Sequence, residues 1–149
     1  MTTHAHGHSH DAAEHTGVVA RGLAGIIGGL VGGILFGVLM AMMGMLETVA
    51  MLVGSNSPVV GGVVHLAIAA GFGVLFAVLW TRAGLPGLLI GGAVYGAIVW
   101  VVGALLIMPV WLGEPVLEIN AMTLQSLMGH VIYGIALGGT LFGLRHRGH

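Results

Sequence analysis

Two histidines, His65 and His130, each stand inside a run of residues that dissolves in lipid, "GGVVHLAIAAG" and "SLMGHVIYG". An ionisable group in such a place is costly and needs a partner. Three chemistries suit an imidazole there: ligation of a metal ion, axial ligation of haem iron, or a hydrogen bond to a neighbouring helix. Methionines gather toward the same depth. The run "MAMMGM" carries Met42 and Met45, Met108 lies late in another apolar run, and Met128 closely precedes His130. Thioether and imidazole together suit a soft ion, Cu(I) above all. Thioethers also fill gaps in apolar cores, which is the plainer role for any one of them.

A second histidine cluster opens the chain. "MTTHAHGHSHDAAEH" sets His4, His6, His8 and His10 at alternate positions, and histidine-rich tracts of this kind bind metal ions. If Met1 is removed, the amine, two backbone amides and the imidazole of Thr2-Thr3-His4 form a square-planar nitrogen site for Cu(II) or Ni(II). A segment this polar does not fold alone, so residues 1–16 are expected to be a disordered cytoplasmic tail ahead of a domain over 17–149. Cysteine is absent, which removes disulfides, thiolate metal sites and cysteine nucleophiles. No hydrolytic triad, phosphate-binding loop or buried carboxylate pair is evident, so an enzyme is not expected.

The elements that hold these residues follow from composition. Hydrophobic residues make up 57% of the 149 and charged residues only 6%, against about 25% in soluble domains. Lysine is absent and the net charge is −1, which argues against nucleic acid as a partner. A bilayer span needs about 20 apolar residues. Four runs qualify, roughly 18–46, 58–80, 85–112 and 123–144, separated by "GSNSP", "TRAGLP" and "GEPVLEIN". With four crossings, Arg21, Arg82, Arg145 and Arg147 fall on one side, and Glu47, Glu114 and Glu118 on the other. The positive-inside rule then places both termini in the cytoplasm of an inner-membrane protein. Trp80 and Trp111 stand at span ends, as interfacial anchors do.

The spans repeat. Sliding the first onto the third aligns Gly29, Gly33, Ala41 and Met45 with Gly92, Gly96, Ala104 and Met108. Sliding the second onto the fourth aligns Gly61, His65, Ala69 and Gly73 with Ser126, His130, Gly134 and Gly138. Small residues at every fourth position form one packing stripe along a helix. The expected fold is all-α: a four-helix membrane bundle of two parallel two-helix repeats about a pseudo-two-fold axis along the membrane normal. The two histidines would then lie at one depth, roughly 10 Å below the outer helix ends, and meet across the axis.

"VVHLAIAAGFGVLFAVL", "GLLIGGAVYGAIVWVVGALLIMP" and "SLMGHVIYG", in that order, resemble the YagU-like small bacterial inner-membrane proteins. The resemblance covers about residues 58–134. It rests on a histidine early in the second span, a proline ending the third and a Gly-His pair in the fourth. It implies a four-helix inner-membrane protein and no established activity.

Three functions fit the residues. The first is binding or handling of a transition metal, copper before zinc or nickel, by the tail and an intramembrane layer of His65, His130, Met45 and Met108. The second is a haem b protein with His65 and His130 as axial ligands; against it, only Asn56, Asn120 and Gln125 lie where the propionates would need a partner. The third is a structural or accessory subunit whose histidines only fix packing. A homo-oligomer is compatible with each.

Overall fold

The computed structural model describes residues 7–147, with side chains from residue 14. Helix α1 runs Gly7–Met42, a short α2 Leu46–Met51, α3 Pro58–Leu79, α4 Leu85–Val99, α5 Met108–Leu112 and α6 Ala121–His146. A π-helical segment, Trp100–Ile107, joins α4 to α5 without interruption. Four rods result, Glu14–Met42, Pro58–Leu79, Leu85–Leu112 and Ala121–His146, each long and apolar enough to cross a membrane. Their bounds match the four apolar runs of the sequence closely, because length and composition alone decide such spans.

Three local differences have local causes. Helix α1 begins at Gly7, inside the segment expected to be an unfolded tail. Extending an existing helix costs little once the apolar span has nucleated it. At the other end α1 stops at Met42 rather than near residue 46, because Gly44 takes a left-handed φ of 66° and turns the chain into α2. Helix α2 is then pinned to α3: a Cβ on Gly61 would strike the Leu46 carbonyl. Finally, Pro109 does not end the third span. It has no N–H for the Leu105 carbonyl and its ring crowds that carbonyl in a regular helix. The preceding residues widen to π geometry, and the Leu105 oxygen accepts instead from Leu117 N–H at 2.9 Å. Leu117 itself sits at a φ of 57°. The helix ends at Gly113, which has a φ of 72°.

Glycines decide which helices meet. On α1 the stripe Gly25-Gly29-Gly33 faces α3: a Cβ on Gly25 would strike the Gly73 backbone, on Gly29 the Ala69 carbonyl, and on Gly33 the Ala69 methyl. In the second pair Gly138 meets Leu88, Gly134 meets Gly92, and Gly96 meets the His130 carbonyl. A neighbouring stripe on α1, Gly28-Gly32-Phe36, faces Leu137, Tyr133 and Gly129 of α6. The backbones therefore approach in the order α3, α1, α6, α4. Between α3 and α4 there is no comparable approach. Aromatic side chains span that seam: Tyr95 packs on Phe76 at 5.0 Å between centroids and donates its hydroxyl to the Phe72 carbonyl at 2.7 Å. The core is continuous, and Phe76, Leu88, Leu137 and Leu141 are fully buried in it.

Candidate functional site

His65 belongs to α3 and is 8% exposed. Its position on the glycine-facing stripe turns the ring toward α1, where Gly33 and Gly37 leave room for it. Nε2 lies 2.9 Å from the Gly33 carbonyl. A carbonyl can only accept, so Nε2 carries the proton and Nδ1 keeps a lone pair. His130 belongs to α6 and bonds differently. Its Nδ1 donates to the Ser126 carbonyl of its own helix at 2.7 Å, with the Ser126 hydroxyl 3.4 Å away. Here the lone pair rests on Nε2.

Phe36 of α1 packs against both rings. Its centroid is 5.2 Å from the His65 ring, edge-on, and 4.6 Å from the His130 ring. It is 4% exposed, and Gly129 of α6 makes space for its edge. The two histidines share Phe36 as a neighbour, and no hydrogen bond joins them. Each bonds to a backbone carbonyl instead. The physical reason is volume: α1 approaches α6 closely enough through Gly28 and Gly32 to bring Phe36 against Gly129 and the His130 ring.

The methionines divide. Met45 and Met108 are half-buried and pack against the cluster that contains Phe36. Met42 is 81% exposed and Met128 49% exposed, so both face outward, away from the histidines. Met40 takes the inward place instead, one helical turn beyond Phe36 and fully within the same cluster. Among the described residues no three of His, Asp and Glu come together. An ion at this layer would need thioethers to complete its shell. His4 and His6 lie outside the described residues, as do the side chains of His8 and His10.

The bonding asymmetry has a measurable consequence. His65→Ala removes a bond between two helices, a type worth about 0.6 kcal/mol on average in membrane bundles, together with the ring's packing. His130→Ala removes a bond within one helix. In detergent unfolding, His65→Ala is expected to cost more. Equal losses would mean that the Gly33 bond does not hold α1 to α3.

Around this layer the sequence points to His65, His130, Met45 and Met108, and also to Met42 and Met128, which are exposed. Met40 shares the methionine run without standing among the candidate ligands, and Phe36 goes unmarked. Both continue the α1 stripe Gly28-Gly32, and Phe36 is the lone aromatic residue of its span.

A bundle of four such helices with two imidazoles turned inward defines a multi-pass helical membrane protein. No family model, curated protein or solved structure matches this chain.

Proposed function

We propose that this protein binds a soft transition-metal ion, Cu(I) before zinc or nickel, at the layer formed by His65, His130, Met40, Met45 and Met108. The observation that carries the reading is the state of the two imidazoles. Each donates its single N–H to a backbone carbonyl and keeps the other nitrogen for a ligand. That is how protein surroundings fix the tautomer and orientation of ligating histidines. Two nitrogens and buried thioethers make a donor set for Cu(I), a weak one for harder ions. The histidine-rich amino-terminal segment would supply the ion on the arginine-bearing side, taken here as the cytoplasmic side of the inner membrane.

Matching glycine contacts support the duplicated architecture within which the layer sits. Gly25–Gly73, Gly29–Ala69 and the Gly33–His65 bond in one pair correspond to Leu88–Gly138, Gly92–Gly134 and Gly96–His130 in the other. Haem is the weaker reading. Its macrocycle needs far more room beside the imidazoles than an ion does, and the buried Phe36 ring packs against both of them. The same packing favours one further reading, in which the histidines only join helices.

The test loads the purified full chain with Cu(I) in detergent, using a variant whose tail histidines (His4, His6, His8, His10) are alanine. One tightly held copper is expected, lost in His65→Ala and in His130→Ala. Copper retained by both single variants, or none held without the tail histidines, overturns the intramembrane site. The latter result with a merely destabilised His65→Ala supports the packing role.

A further inference from the structure

The two α1 and α6 packing stripes each end in a charge. Arg21 precedes Gly25-Gly29-Gly33 by one helical turn, and Arg145 follows Tyr133-Leu137-Leu141 by one. An arginine placed only to orient the chain extends its head outward to the water. These two instead line one half-open cavity of about 220 Å³ at the end of the bundle, together with Ala24, Ala77 and Leu141. That is several times the roughly 30 Å³ a water molecule occupies. Among the described residues no carboxylate lines it, and two like charges share the space. Arg145 is held in place by its Nη2, which donates to the Trp80 carbonyl at 2.6 Å. The Nε of Arg21 is buried and has no hydrogen-bond partner, the one such side-chain atom among the described residues. A buried donor left unpaired costs free energy that a ligand restores.

We propose that this cavity binds a phosphate group, with Arg21 and Arg145 donating to its oxygens from two sides. A guanidinium presents a fork of N–H groups that matches phosphate. The cavity lies where an apolar bundle meets water, and its walls are alkyl. A phospholipid headgroup therefore fits, its acyl chains continuing along the helices; free phosphate offers the same oxygens.

Native mass spectrometry of the full chain with equal amounts of phosphatidylglycerol and phosphatidylcholine reads the lipid arm. Thermal unfolding in phosphate against chloride of equal ionic strength reads the free-ion arm. Preferential retention of phosphatidylglycerol is expected, reduced about tenfold in Arg21→Gln and in Arg145→Gln, the loss of one charge-assisted bond. Arg82→Gln, outside the cavity, should leave it unchanged. Protection by phosphate alone, lost in the same two variants, assigns the site to the free ion. Should either Gln variant fail to fold, Arg21→Lys and Arg145→Lys keep the charge and lose the fork, and weaker retention than the parent chain is expected. The proposal is overturned if the parent chain prefers neither phosphatidylglycerol to phosphatidylcholine nor phosphate to chloride. It is equally overturned if Arg82→Gln loses as much as Arg21→Gln.

Discussion

Gly134→Ala will push the second helix pair apart. A methyl group there would strike the Gly92 carbonyl and crowd the Gly96 amide, which is backbone and cannot rotate away. Overpacking of this kind costs about 1–3 kcal/mol. Gly92→Ala should cost a similar amount, and the double variant little more than either, since one methyl already opens the contact. Gly62 and Gly71 are the controls, because nothing lies within 4 Å of a Cβ at either. Alanine there should be neutral or slightly stabilising, alanine being the better helix former. Unfolding in mixed micelles, followed by far-ultraviolet circular dichroism, gives the comparison. A Gly134→Ala protein as stable as Gly62→Ala would show that the close approach of α6 to α4 is not what holds them.

Phe36→Ala should be the most damaging single change in the candidate layer. The ring is buried, touches both imidazoles and fills the hollow left by Gly129. Emptying such a site costs about 3–5 kcal/mol. The effect on metal separates the ring from the ligands. Phe36→Ala removes no donor atom, so Cu(I) should still bind, and bound ion should return part of the lost stability. A variant that unfolds little, measured in the same micelles, would mean that Phe36 does not support the two histidines. One that folds but loses copper would make the ring itself part of the ion's surroundings.

Much of this architecture could be read from the chain. Twenty-residue apolar runs have few other uses, so the spans follow from composition. Gly29, Gly33, Gly92 and Gly96 mark pairing faces because a four-residue step stays on one side of a helix. Other features depend on distant residues. Nothing near His65 tells that its ring reaches the Gly33 carbonyl while His130 turns back on Ser126. Met42 and Met40 look alike in "MAMMGM", and only the direction of the Phe36 stripe separates the buried one from the exposed one. Pro109 looks like a helix end because proline lacks a donor. A loop residue, Leu117, supplies the missing donor from outside, and local sequence carries no sign of that.

The order in which the helices touch governs how the bundle is born. The first hairpin, α1 with α3, has its glycine contacts as soon as residue 79 is made, and the second, α4 with α6, has its own. Close backbone approach between the hairpins belongs to α1 and α6, the outermost in sequence of the four spans described. Until α6 arrives, Gly28 and Gly32 on α1 have no partner, and Phe36 meets the His65 ring of α3 but not Gly129 or His130. Joining of the two hairpins therefore waits for α6. A chain that ends before residue 121 leaves the Gly28-Gly32 face of α1 uncovered, and exposed packing surface of this kind invites misassembly.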